Sequence, residues 1–254
     1  MDLIHFEVPS THKLSKKEKR LLRNQQNHIQ QQVKKQNNLE LSIVNPLTDT
    51  QKKVFADFEM NYNMVLHGCA GTGKTFLLTY LSMDELINYE TPYKKLYIVR
   101  SAVPTKDLGF MPGKLKDKLE VYEAPYRGIF SDLFKRGDAY EIAKQKGMVE
   151  FISTSYLRGI TLSNCIIMVD EMQNLTFDEL STIMTRVGKN CKILFSGDYR
   201  QSDLTKDREK EGVNNFLRII NIMKSFKFIE FSSDDIVRSG VAKEFIIARE
   251  KLKL

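Results

Sequence analysis

What this 254-residue chain does without narrows it first. No apolar run approaches the ~18 residues that a membrane-spanning helix needs, so no membrane partner is expected. The start, MDLIHFEVPS, does not show the basic-then-apolar order of a secretory signal. Cysteine is scarce: Cys69, Cys165 and Cys191 cannot all pair with one another, and the expected setting is a reducing cytoplasm. His5, His12, His28 and His67 stand apart from the cysteines except for the neighbours His67 and Cys69, so no zinc-type spacing occurs and no structural metal is expected. The bulk of the chain also lacks any excess of one charge. Residues 11–38 hold eight basic residues against one acidic, a net of +7, and the remaining 31 of each sign cancel.

What is present is a chain 42% hydrophobic and 28% charged, ordinary for a globular protein and long enough for one full domain with a small appendage. The appendage is the basic, Gln- and Asn-rich arm, residues 1–45, read as a marginal helix or partly disordered tail ending near Asn45-Pro46. Two readings of the arm stay open: an electrostatic contact with nucleic-acid phosphates or acidic partners, and a solvated, solubilising segment. From residue 46 to 254, short apolar runs alternate with helix-like stretches, the pattern of an α/β fold with a mostly parallel sheet flanked by helices. Strands are expected at Met64–His67, Leu96–Val99, Val149–Ser153, Cys165–Val169, Lys192–Phe195 and Phe228–Phe231. Helices are expected near Thr50–Glu59, Thr75–Ile87, Phe177–Val187 and Val213–Lys224. The segment Ala102–Gly147, with Pro104, Pro112 and Pro125, reads as irregular, an insertion or binding surface.

The chemistry concentrates at HGCAGTGKTF, residues 67–76. Gly68, Cys69, Ala70, Gly71, Thr72, Gly73, Lys74 and Thr75 match the phosphate-loop pattern in full, between an apolar strand and a helix start. Glycines let the backbone curl so that successive N–H groups face a β-phosphate, and the helix N-terminus adds a favourable dipole. The pattern implies a bound nucleotide with Mg²⁺: Lys74 reaches the β- and γ-phosphates and the Thr75 hydroxyl ligates the cation. The run Ile166–Val169 then ends in Asp170 and Glu171. At the carboxyl end of a parallel strand, Asp170 falls beside Thr75 to hold the Mg²⁺ hydration shell, and Glu171 is placed to activate the attacking water. A third strand end, FSGDYRQ, offers Asp198 and Gln201 to the γ-phosphate or the water.

Beyond the phosphate loop, RSAVPTKDLGFMPGKLKDK (100–118), YLRGITL (156–162), VDEMQN (169–174), TRVGKN (185–190), GDYRQSDL (197–204) and DIVRSG (235–240) stand in the order of similar blocks elsewhere. Over residues 46–250 the chain thus resembles the PhoH family of P-loop ATPases, related to the first RecA-like domain of superfamily-1 helicases. The resemblance implies further roles. Gln51 is similar to the glutamine that recognises adenine, Gln173 to that of the DExQ motif, and Asp198 and Gln201 to the γ-phosphate sensor. Arg238 resembles the arginine that closes on the γ-phosphate, with Arg186 a second candidate; either residue can instead be a surface ion pair. Arg100, Thr154 and Arg158 lie in blocks similar to strand-contacting motifs. The resemblance implies an ATP hydrolase that moves along, unwinds or remodels single-stranded RNA or DNA. It is an expected homo-oligomer, with a hexameric ring favoured and the arginine finger supplied by a neighbour. No counterpart of the nuclease domain carried by some relatives is expected. The alternative is an ATP-operated switch that grips RNA or a protein without helicase activity. A small-molecule kinase fits less well, because Glu171 directly after the strand aspartate suits water activation.

Overall fold

The computed structural model describes residues 39–101, 115–198 and 207–252. The arm through residue 38, the stretch 102–114 and Gln201 lie outside the described residues. The chain divides into units 1–40 and 41–254. The elements of the second unit run α1 (Asp49–Glu59), β1 (Asn63–Gly68), α2 (Lys74–Asn88), β2 (Lys95–Arg100), α3 (Leu115–Phe134), α4 (Ala139–Gln145), β3 (Val149–Ser153), β4 (Cys165–Val169), α5 (Phe177–Arg186), β5 (Cys191–Gly197), α6 (Asp207–Asn221), β6 (Phe226–Phe231) and α7 (Gly240–Leu252).

The six strands form one parallel sheet in the order β3-β2-β4-β5-β1-β6. All five residues of β4, Cys-Ile-Ile-Met-Val, are buried, as both faces of a parallel sheet must be covered. On one face Ile167, Val169, Ile193 and Phe195 pack with Leu180 and Ile183 of α5 and with Val213 and Phe216 of α6. On the other, Met168 meets α2, whose Thr79 hydroxyl donates to the methionine sulfur. The expected α/β architecture is therefore the observed one, and all six expected strands lie within observed strands. Local chemistry sets the helix starts. Thr48 caps α1 by accepting from the Gln51 amide, and Thr176 with Glu179 forms a full capping box on α5.

Three expectations need correction. Residues 41–45, assigned to the arm, belong to the body: the Ser42 amide donates to the Leu133 carbonyl at 2.9 Å. The segment expected to be irregular contains α3 and α4. Pro125 inside α3 removes one intrahelical donor, and the facing turn at Val121 is 49% exposed, where water can satisfy the freed carbonyl. Tertiary packing overrides the proline: Tyr126, Phe130 and Leu133 are fully buried, with the Phe130 ring 5.2 Å from that of Tyr140 on α4 and the Tyr126 ring 5.9 Å from Phe151 on β3. Helix α7 falls outside every expected helix. It presents Val241 and Phe245 outward, so its sequence lacks the one-sided apolar stripe that marks a core-facing helix.

Candidate active site

The phosphate loop joins β1 to α2. Gly68 has φ of 107° and approaches β6 so closely that a β-carbon there would stand 2.2 Å from the Phe231 carbonyl oxygen. No other residue type satisfies both constraints. The Cys69 amide donates to the same carbonyl at 2.9 Å, anchoring the loop. Lys74 folds onto the loop's own carbonyls, donating to Gly68 at 2.8 Å and Cys69 at 2.7 Å. Burial holds its pKa below the usual lysine range, opposed by the charges of Asp198, Cys69, Glu171 and Asp170.

Asp170 is the hub. The Thr75 hydroxyl donates to its Oδ1 at 2.8 Å, Ser196 donates to the same oxygen, and the Tyr126 hydroxyl donates to Oδ2 at 2.7 Å. Three hydroxyl donors make this a buried carboxylate with both oxygens engaged. Burial pushes the Tyr126 hydroxyl well above the usual tyrosine range, helped by the adjoining carboxylate, so it acts as a donor. Next in sequence, Glu171 turns into the left-handed region with φ of 52° and heads a 3-10 turn, Met172–Asn174. Its Oε2 accepts from Gln173 Nε2 at 2.5 Å, and Gln173 Oε1 in turn accepts from the Asp198 amide at 3.1 Å. A β-carbon on Gly197 would lie 2.4 Å from that Oε1, so a side chain there would push the Gln173 amide from this position. Burial, then the neighbouring Asp170, raises the Glu171 pKa, while Gln173, Arg100 and Lys74 oppose the shift.

Gln51 is buried against the loop, donating from Nε2 to the Thr72 carbonyl at 3.1 Å and accepting at Oε1 from the Leu47 amide at 2.7 Å. Arg238 lies over Gly71, and the Val237 amide donates to the Gly71 carbonyl. A cavity of about 650 Å³ unites Gln51, loop residues from Ala70 to Thr75, Asp170, Glu171, Gln173, Asp198 and Arg238. Of the other residues singled out in the sequence, Arg100 sits 5.9 Å from the Tyr122 ring, Thr154 donates to Glu179 at 2.6 Å, and Arg158 is exposed beyond β3. Arg186 is not brought to the cavity. Its carbonyl accepts from the Leu162 amide, before β4 begins, because ten residues of α5 carry the chain back to the amino ends of the strands.

Sequence reasoning missed Tyr126 and Ser196, and also Asn45 and Asp132, which line the cavity. The register Val169↔Phe195 sets Ser196 beside Asp170, a relation invisible until strand order is known. Nothing in the local sequence marks Tyr126.

The sheet order, the loop and the carboxylates define a RecA-like P-loop NTPase fold, in which one strand, β5, separates the loop-bearing strand from the Asp170 strand. The chain belongs to the PhoH family: the family model described as "PhoH-like protein" matches residues 43–250. It is 32% identical over 186 residues to a PhoH-like protein of Synechocystis, covering 72% of this chain and 55% of that one. To the PhoH-like protein of Bacillus subtilis it is 31% identical over 202 residues, covering 79% and 62%. The chain therefore spans less than two thirds of the length of these relatives. Solved structures with a remote likeness include the large terminase of a thermophilic bacteriophage (TM-score 0.47, 11% identity, 81% of this chain and 50% of that one). Bacteroides Pif1 bound to ssDNA is another (TM-score 0.42, 15% identity, 84% and 46%).

Proposed function

We propose that the chain hydrolyses ATP with Mg²⁺ and couples hydrolysis to movement on, or remodelling of, single-stranded RNA or DNA. The observation that carries this reading is the Thr75–Asp170 hydrogen bond of 2.8 Å, which joins the phosphate loop to a strand-end carboxylate with Glu171 beside it. A threonine hydroxyl that donates its proton to Asp170 keeps its lone pairs for a cation, and hard oxygen donors suit Mg²⁺. Bound there, Mg²⁺ supplies neutralisation of charge on the phosphate oxygens.

The chain's own groups do the rest. Loop amides receive the phosphates, and Lys74 exchanges the Gly68 and Cys69 carbonyls for phosphate oxygens. Glu171 accepts a proton from the attacking water, oriented by Gln173, whose other end is fixed on the Asp198 amide. Gln201 and Asp198 serve the γ-phosphate side, and Arg238 above Gly71 supplies positive charge there. The Gln51 amide has spent one donor on Thr72 and one lone pair on Leu47, leaving one donor and one acceptor. That pair complements adenine, which offers an N7 acceptor and an N6 donor, and mismatches guanine, which offers two acceptors. Beyond the sheet's carboxyl edge, Tyr156 is 48% exposed two residues from exposed Arg158, a ring and a cation suited to a base and its phosphate.

Arg186, at the far end of α5, serves a phosphate only in a neighbouring subunit. A homo-oligomeric ring is part of the proposal, checked by mass in the presence of ATP. The central experiment is steady-state ATP hydrolysis with and without single-stranded RNA and DNA, with Glu171→Gln as control. Stimulation by polymer supports the reading. A basal rate indifferent to both polymers favours the ATP-operated switch.

A further inference from the structure

The Asp170 carboxylate is held from two sides. Oδ1 accepts from Thr75 and Ser196, which belong to the loop and to the neighbouring strand, while Oδ2 accepts from Tyr126 alone among the described residues. Tyr126 comes from α3, which takes no part in the phosphate loop, and its ring is fully buried against Phe151 of the edge strand. Rotation about the last aspartate torsion is soft. With donors on Oδ1 only, the plane of the carboxylate can still swing about that oxygen. A second donor on Oδ2 from an independent element removes the freedom. The hydroxyl also occupies one lone pair and leaves the others directed toward the cavity. One turn earlier on the same helix face, Tyr122 lies under the Arg100 guanidinium at the end of β2, so α3 meets the sheet's carboxyl edge at two points.

We infer that Tyr126 is a positioning residue: its hydroxyl locks Asp170 in the orientation that serves a hydrated divalent cation beside bound nucleotide, and so makes that cation site depend on the seating of α3. The inference rests on the ATPase reading above. A hydrogen bond to a charged group is strong enough that its loss should be read as about a tenfold change in cation affinity.

Tyr126→Phe removes the hydroxyl and keeps the ring. Tyr140→Phe makes the same deletion on another buried ring of the α3–α4 layer that does not donate to Asp170, and serves as the control. Three quantities are compared: Mn²⁺ affinity by electron paramagnetic resonance with a non-hydrolysable ATP analogue bound, affinity for that analogue in EDTA, and the thermal midpoint. For Tyr126→Phe we expect Mn²⁺ to bind about tenfold more weakly, the cation-free affinity to hold, and the midpoint to stay near that of the control. An unmoved Mn²⁺ affinity, or an equal loss in Tyr140→Phe, would overturn the inference and leave Tyr126 a packing residue. If the unaltered protein binds the analogue with no dependence on a cation, the ATPase reading fails first and takes the inference with it.

Discussion

The two ends of the same parallel strands bury polar groups to opposite purposes. At the carboxyl ends, Asp170, Ser196 and Gln173 are buried and interlocked, yet each bond leaves donors or lone pairs facing a cavity of about 650 Å³. At the amino ends, Lys192 is only 2% exposed and ends in apolar company: its ammonium donates to the Phe58 carbonyl at 3.0 Å and lies 3.6 Å from the centre of the Phe58 ring. Beside it the paired positions Cys165 and Cys191 bring their sulfurs to 3.5 Å. A buried polar group is costly in either place. At one end its partners hold it ready for a ligand, and at the other they only make burial tolerable.

The sharpest test of that contrast is Glu171→Gln, which should lower ATP hydrolysis by about 10²–10⁴-fold while the thermal midpoint holds, measured on the same preparation. A comparable loss of folding would mean that Glu171 is structural. Lys192→Met should do the reverse, leaving hydrolysis intact and changing stability. Burial pushes the Lys192 pKa down to about 8 from 10.5, with Glu85 opposing the shift. Between those two values the unfolded chain binds more protons than the folded one, so the unaltered protein gains stability as pH rises through that window. Below it the buried charge costs roughly 1–3 kcal/mol, which Lys192→Met avoids. Denaturant midpoints at several pH values should therefore show Lys192→Met ahead near neutrality and the gap closing toward high pH; a constant gap would refute the assignment.

Smaller effects refine the comparison. Gln51→Ala should cut the preference for ATP over GTP by about tenfold, read from competition binding, because the base edge loses its matched donor and acceptor. Equal loss of both nucleotides would show that Gln51 only braces Thr72. Arg186→Ala should leave nucleotide affinity of the monomer unchanged, and any drop would contradict the separation of the two sheet ends.

Much of the carboxyl-end chemistry is legible in the amino-acid order alone. The phosphate loop is local: its glycines, Lys74 and Thr75 are contiguous, and the strand and helix on either side follow from short-range pattern. Asp170 and Glu171 close an apolar run, and parallel strands bring their carboxyl ends to one edge. Arg186 marks the limit of that legibility: the TRVGKN block does not say which sheet edge it reaches, and the length of α5 carries it to the amino ends of the strands. Helix α3 is hidden by Pro125, whose local cost is outweighed by rings that bury only once β3 and α4 are in place.

The sequence by itself determined the parallel α/β class, the phosphate loop and the paired carboxylates, because each is written in adjacent residues or in a period of apolar positions. Only the tertiary structure decided which hydroxyls join Thr75 in holding Asp170, which arginine overlies the loop and which face of α3 joins the site. Those hydroxyls lie 26 residues away for Ser196 and 44 for Tyr126. At such separations chain connectivity constrains nothing. Strand order and side-chain packing bring the groups together.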